Sequence, residues 1–127
     1  MFKTLRIYIK VMRDKVEVTN LNTGETATES ARESFSSTRN IVGKFNMAEN
    51  TIKSAFQKLN IKRGLFPPSM KVLIQQMEGI EGGFSDIEKR ALRDLAEQVG
   101  ANTVYLAEHT NRLSQDDALT ILKGKPQ

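Results

Sequence analysis

Carboxylates that could meet in one site are few in this sequence. Glu17, Glu78 and Glu108 each lie in, or just after, a segment whose pattern is typical of a strand. Carboxylates gathered around two Mg²⁺ ions carry out phosphoryl-transfer chemistry. To complete such a group the first strand would have to supply an acid, but it has Tyr8 and Lys10 at the matching positions. We therefore predict no catalytic residue and no metal site.

The other residue types that commonly carry chemistry are also scarce. His109 is the sole histidine, which excludes a histidine-rich metal site. The chain has no cysteine, which excludes thiolate chemistry and cysteine-ligated metals. The glycine-rich link at 79–83 contains Glu81 and does not match the G-x-x-x-x-G-K phosphate loop. We expect this link to be a flexible connection, and we predict no bound cofactor and no small-molecule substrate.

One short segment combines positive charge with apolar side chains. Lys62 and Arg63 stand beside Leu65 and Phe66, a combination that can contact a lipid surface or a protein partner. The alternative interpretation is a packed loop in which Phe66 is buried. Together with Glu108, which follows a predicted strand, these four residues form the candidate interaction surface.

Composition and charge indicate a single globular domain. A chain of 127 residues with 39% hydrophobic and 27% charged residues is ordinary for such a domain. We assign residues 1–124 to one domain and residues 125–127 to a frayed tail. The net charge of +4 and the pI near 9.5 favour an anionic partner, although the basic residues are scattered along the chain.

The start of the chain argues against export. Lys3, Arg6 and Lys10 interrupt any apolar core of a signal peptide, and no apolar run approaches the ~20 residues of a membrane span. The lack of cysteine fits a reducing compartment. We therefore expect a cytoplasmic protein.

Alternation of apolar and polar residues predicts three strands near the start of the chain. The segments are 5–12, 15–19 and 25–29, separated by turns at 13–14 and 22–24. Short turns join antiparallel neighbours, so these strands form a meander. Residues 30–44 then turn polar, and we interpret them as a loop.

Caps and apolar stripes predict three helices. The predicted caps, each with an acidic residue three positions on, are Asn46 with Glu49, Ser85 with Glu88 and Ser114 with Asp117. Gly100 and Gly124 are expected to end the second and third helices. The predicted apolar stripe of the second helix consists of Ile87, Ala91, Leu92, Leu95, Ala96 and Val99.

Apolar runs before and after the second helix complete the pattern. The runs at 72–74 and 104–106 flank that helix as the two parallel strands of a βαβ unit. The element order is therefore βββ-α-β-α-β-α. It predicts an α/β fold with a mixed five-stranded sheet in the order 3-2-1-4-5 and flanking helices. This is the ribonuclease H-like architecture, which is also the repeated half of the actin-like ATPases.

The chain resembles one family, the bacterial rod-shape actins (the MreB family), in individual residues as well as in the order of its elements. That family has a helix beginning near Q-V-E-R-R-A-I, then Gly-Ala, then V-Y-L-I-E-E-P, and residues 85–109 of this chain are similar. Residues 41–45, followed by Glu49 and Ile52, look like the family's V-I-A-D-F and first helix. The resemblance implies a counterpart of the actin subdomain called IA.

The sequence departs from that family at the phosphate turn. Actin-like ATPases hold phosphate with D-x-G-T between the first two strands, and the matching positions here are Tyr8, Ile9, Lys10 and Val11. The acid and the glycine are both replaced. The family's second phosphate loop and adenosine pocket would lie beyond Gln127. We therefore expect no nucleotide hydrolysis.

Three hypotheses of function follow. The first is a non-catalytic, actin-fold module that binds another protein, such as a filament or cell-envelope component, with weaker contact to a membrane surface. The second is a small basic protein that binds nucleic acid, motivated by the pI. The third is an enzyme whose cleft is completed by a partner chain.

Overall fold

The computed structural model describes residues 4–34, 44–61, 67–79 and 84–124, which form five strands and three helices. The strands are β1 (Leu5–Met12), β2 (Lys15–Asn20), β3 (Thr26–Ser30), β4 (Met70–Gln76) and β5 (Thr103–Ala107). The helices are α1 (Phe45–Lys58), α2 (Asp86–Gln98) and α3 (Gln115–Lys123). The element order predicted from the sequence is confirmed.

The five strands form one mixed sheet in the order β3-β2-β1-β4-β5, as predicted. β1, β2 and β3 are an antiparallel meander joined by short turns, whereas β1, β4 and β5 run parallel. Parallel neighbours need a crossover, which α1 and α2 provide. β1 is therefore the central strand, with two strands on either side.

Helices cover both faces of the sheet. α1 and α2 pack on the face of the sheet to which β1 contributes Ile7, Ile9 and Val11. α3 packs on the opposite face. The buried side chains of that second face are Tyr8, Leu21, Leu73, Tyr105, Ala107, Ala118 and Leu122. Because both faces of β1 are covered, the polar side of that strand is buried as well.

The predicted start of α1 is wrong by two residues, because the cap was expected at Asn46. The helix begins at Phe45, with Lys44 at the N-cap position and no side-chain cap. Phe45 is half-buried against the core, and extending the helix to it keeps that contact. The expected capping box of Asn46 and Glu49 is therefore absent, and Glu49 instead forms an ion pair with Lys53 at 2.7 Å.

The predicted ends of α2 are confirmed. The Ser85 hydroxyl accepts a hydrogen bond from the Glu88 backbone N–H at 3.1 Å, and the Glu88 carboxylate accepts from the Ser85 N–H at 3.4 Å. Such a cap stabilises a helix by about 1 kcal/mol. At the other end Gly100 has φ +117°, and the Ala101 N–H donates to the Ala96 carbonyl at 3.1 Å. This is the glycine-dependent closure expected of a helix end.

The apolar stripe predicted for α2 is wrong at Ile87, whose side chain is 82% exposed. Leu92, Leu95 and Ala96 are fully buried. At 3.6 residues per turn, Ile87 lies about 180° around the helix from Ala96 and about 140° from Leu92. Burying those two residues therefore turns Ile87 toward solvent.

The predicted cap of α3 is confirmed, whereas several predicted loop segments are not tested. Ser114 caps α3, and its hydroxyl accepts from the Asp117 N–H at 3.1 Å. Most of the predicted loop, the link at 80–83 and the tail at 125–127 lie outside the described residues. In the part of the chain that is described, no helix combines the length and the apolar character needed to cross a bilayer.

Candidate functional site

Ligands of open sheets with parallel strands bind at the carboxyl ends of those strands. At this end Lys10 of β1 lies directly opposite Glu17 of β2 and opposite Gln75 of β4. The three side chains form a polar row on the face covered by α3. Tyr8 lies next to this row on the same face of β1.

An ion-pair cluster holds one side of the row. Lys10 Nζ lies 3.1 Å from Glu17 Oε1, and an Arg112 guanidinium nitrogen lies 2.7 Å from the same oxygen. The Lys10 ammonium also lies 3.9 Å from the centroid of the Tyr8 ring, close enough for a cation–π contact. The side chain of Lys10 is only 4% exposed and that of Glu17 is 20% exposed. The Lys10 ammonium is therefore shielded from solvent, and its contacts are Glu17 and the Tyr8 ring.

A hydrogen-bond network holds the other side. The Tyr8 hydroxyl donates to Gln75 Oε1 and accepts from the Leu113 backbone N–H at 3.2 Å. Gln75 Nε2 donates to the carbonyls of His109 at 2.9 Å and Asn111 at 2.8 Å. Gln75 is fully buried. The network therefore ties the segment at 108–114, which joins β5 to α3, across the carboxyl ends of β1 and β4.

His109 takes part in this network through its ring. Nδ1 accepts a hydrogen bond from the Asn111 N–H at 3.2 Å. This acceptor role requires Nδ1 to be unprotonated. The imidazole therefore stabilises the turn of the segment at 108–114.

Burial and pairing shift the pKa values of the row. Burial raises the pKa of the Tyr8 hydroxyl, although the Leu113 N–H partly offsets this, and burial lowers the pKa of Lys10 against the opposing effect of Glu17. Burial would raise the pKa of Glu17, but hydrogen bonds from Arg112 and Lys10 outweigh it and the pKa is lowered. Glu17 is therefore a stable carboxylate that serves two cations.

The polar groups of the row bind mainly to one another and to the segment at 108–114. An activated acid or base needs a free lone pair or proton facing a substrate. Here the Gln75 amide, the Tyr8 hydroxyl and the Glu17 carboxylate face partners from the chain itself. Tyr8, Lys10, Glu17 and Gln75 of the sheet thus hold the segment at 108–114 in place. We call this arrangement the clasp.

The three glutamates considered from the sequence do not converge. Glu78 accepts a hydrogen bond from the Arg13 N–H at 3.2 Å, while Glu17 pairs with Lys10 and Arg112. Within the described ranges, His, Asp and Glu side chains do not gather in any group of three that could hold a metal ion.

Of the five residues predicted to form an interaction surface, only Glu108 is described. It is exposed just after β5 and forms an ion pair with Lys89 of α2 at 2.6 Å. The pair lowers the pKa of Glu108 and raises that of Lys89, each mainly through the hydrogen bond between them. Lys62, Arg63, Leu65 and Phe66 lie outside the described residues, so their role stays a prediction.

The excess positive charge of the chain also lies outside the described residues. Of 19 Lys and Arg and 15 Asp and Glu, all but six residues are described. The six are the basic residues Lys3, Arg39, Lys62, Arg63 and Lys125 and the acidic residue Glu81. The described part is therefore electrically balanced, and the net positive charge of the chain does not arise from it.

A groove of about 460 Å³ runs along β5 at the edge of the sheet. Its walls include Leu106 of the strand, Arg93 of α2, and Thr120 and Ile121 of α3. β5 is the terminal strand of the sheet, and none of the described strands pairs with its outer edge. Unpaired backbone groups on such an edge can pair with another strand.

Gln75 and Arg112, two partners in the clasp, were not predicted from the sequence. Arg112 is separated from Glu17 by 95 positions, and Gln75 from Tyr8 by 67. One signal was present, however. A two-residue turn at 13–14 places Lys10 opposite Glu17, so this cross-strand pair could have been predicted from the hairpin alone.

The fold and the site together define a small α/β protein with a mixed five-stranded sheet and a self-bonded polar row at its centre. Comparison with protein-family models gives no match, and comparison with curated proteins gives no significant match.

Proposed function

We propose that this chain is a non-catalytic protein-interaction module with an actin-like, MreB-like fold that acts with a filament or cell-envelope component. The observation that carries the proposal is the clasp. The place where an α/β sheet of this kind would receive a ligand is filled by Gln75 and by the segment at 108–114.

The replaced phosphate turn supports the same conclusion. Tyr8 and Lys10 stand at the positions that resemble the D-x-G-T turn, and both side chains are buried under the α3 side of the sheet. A phosphate group placed there would need backbone amides that can approach it closely. Instead it would meet the Tyr8 ring and a Lys10 ammonium that already pairs with Glu17.

The actin-like part of the proposal rests on two supports. Residues 85–109 resemble the rod-shape actins, and the observed strand order is the one that this resemblance implies. The protein-binding part rests on the open edge of β5, since an exposed edge is a common docking surface for another chain.

Isothermal titration with Mg-ATP tests the non-catalytic part. We expect no heat beyond dilution, because a nucleotide would have to displace the segment at 108–114 and break the bonds of Gln75. Micromolar affinity for Mg-ATP would contradict the proposal.

A variant of Lys10 controls this titration. If heat is seen with the native chain, Lys10→Met distinguishes nucleotide seated over β1 from adventitious binding elsewhere. Loss of the heat in Lys10→Met would place a nucleotide at the clasp and overturn the assignment. Retained heat would place it at another surface, and the chain would still be a nucleotide-binding protein.

The alternative, a nucleic-acid-binding protein, gains no observation from the described residues, which are electrically balanced. Non-specific binding to nucleic acid depends on Lys and Arg contacts to phosphate and weakens steeply with salt. We therefore expect no retardation of duplex or single-stranded DNA in a low-salt gel shift. Retardation that disappears as salt is raised would favour the alternative over the protein-interaction module.

A further inference from the structure

We propose that β5 is a self-association edge, at which a second copy of this chain pairs β5 with β5 in antiparallel orientation about a two-fold axis. The contact would join two five-stranded sheets into one continuous sheet. The inference rests on the proposed function, since it names a partner for the open edge of the interaction module.

The composition of β5 suits a strand that pairs with another strand. The strand reads Thr-Val-Tyr-Leu-Ala, with no charged residue and no proline. Proteins usually protect an exposed edge with charge, proline or a covering element. At β5 the flanking helices leave a groove of about 460 Å³ open along the strand. An uncharged, open edge is suited to receive another strand.

The opposite edge of the sheet shows the contrast. β3 carries Glu29, whose carboxylate forms an ion pair with Lys58 of α1 at 2.6 Å. Glu29 is half-buried, and the exposed positions of the strand are Thr26, Thr28 and Ser30. β5 has no charged residue within the strand, and its ion pair to the neighbouring helix, Lys89 with Glu108, lies just past the strand end. The two edges therefore differ in the way expected if only β5 has a partner.

The charges of α2 identify the partner as a second copy. Arg93 lines the β5 groove, and Glu97, one helical turn later, lies beside Arg93 on the exposed surface of α2 rather than in the groove itself. Both side chains are exposed, and neither forms an ion pair with another described residue. A two-fold axis makes two copies of α2 antiparallel, and an axis that passes level with Leu95 brings Arg93 of each copy level with Glu97 of the other. The dimer would thus form the Arg93–Glu97 ion pair twice, once in each direction across the axis.

The spacing of the layers permits this contact. α2 packs on both β4 and β5, so it lies over the outer two strands of the sheet. Paired strands lie ~4.8 Å apart, and helices packed side by side lie ~8–10 Å apart. Joining the two sheets at β5 would bring the two α2 helices to about 10 Å, within the reach of an arginine–glutamate pair.

Charge reversal on α2 tests the proposal in the native chain. In sedimentation equilibrium we expect the native protein to approach twice its mass of 14.3 kDa as its concentration rises. Arg93→Glu and Glu97→Arg should each weaken the dimer about tenfold or more, because each places like charges together twice. The double variant Arg93→Glu/Glu97→Arg restores both pairs and should restore the dimer.

A matched control and an amide-exchange measurement locate the interface. Arg32→Glu makes the same charge change at an exposed position just after β3 and should leave dimerisation unchanged. Amides at 103–107 should exchange more slowly with deuterium as concentration rises, because the outer edge of β5 becomes paired. Protection confined to another element would overturn the assignment to β5.

The outcomes separate this inference from the proposed function. A chain that stays monomeric at its highest soluble concentration, or a dimer unaffected by all three α2 variants, overturns the self-association edge. Either result leaves the Mg-ATP titration, and with it the non-catalytic assignment, untouched. A dimer that binds Mg-ATP with micromolar affinity would retain the edge and overturn the proposed function.

Discussion

Replacing Gln75 with leucine should destabilise the protein by about 2–4 kcal/mol, since each buried polar group left without a partner costs roughly 1–3 kcal/mol. The substitution removes both carbonyl contacts to the segment at 108–114 and the acceptor of the Tyr8 hydroxyl. Leucine has a similar volume, so the loss reports on hydrogen bonding more than on packing. Urea unfolding followed by circular dichroism measures the change.

Two further variants make this result interpretable. Gln98→Leu is the same substitution at an exposed glutamine of α2 and should stay within about 0.5 kcal/mol of the native protein. Tyr8→Phe removes one member of the network, and the double variant with Gln75→Leu should cost less than the sum of the two, because the residues share one bond. A free energy of unfolding for Gln75→Leu equal to that of Gln98→Leu would show that the clasp does not hold the segment.

The strand order could be predicted from the sequence because its determinants are local. Short turns at 13–14 and 22–24 require antiparallel neighbours, and an apolar run on each side of a capped helix requires a parallel pair. Ser85 and Glu88 are only three residues apart, so the start of α2 was visible in the sequence and is confirmed. Such signals depend on neighbours in the chain and not on the rest of the fold.

The clasp could not be predicted in the same way, because its partners come from distant segments. Gln75 follows an apolar run. Its neighbours in the sequence do not distinguish a buried glutamine from an exposed one at the end of a strand. Its role depends on the segment at 108–114 folding back over β4, which tertiary packing decides. Ile87 and Asn46 were mistaken for the related reason that burial elsewhere on the same helix overrode the local pattern.

Removing the carboxylate of Glu17 should cost about 2–3 kcal/mol, somewhat less than the 3–5 kcal/mol typical of a fully buried pair, because Glu17 retains some solvent contact. Glu17→Ala leaves the Lys10 ammonium buried without its counter-ion and releases Arg112. Lys10→Met is the matched control. It removes the buried charge itself, leaves Glu17 paired with Arg112, and should change the free energy of unfolding by less than about 1 kcal/mol. Equal losses in the two variants would contradict this asymmetry.

The same carboxylate predicts a particular dependence on pH. Because the pKa of Glu17 is lower in the folded protein than its ordinary value of 4.5, the unfolded chain binds its proton first as the pH falls. The stabilisation from Glu17 is therefore fully present above pH 4.5 and is lost as the pH falls through the folded pKa. Glu17→Gln lacks this titration, so the difference in unfolding free energy between the native protein and Glu17→Gln should shrink below pH 4.5. Urea unfolding of both proteins across this range measures the difference, and a difference that stays constant into acid would show that Glu17 is not held as a carboxylate by Lys10 and Arg112.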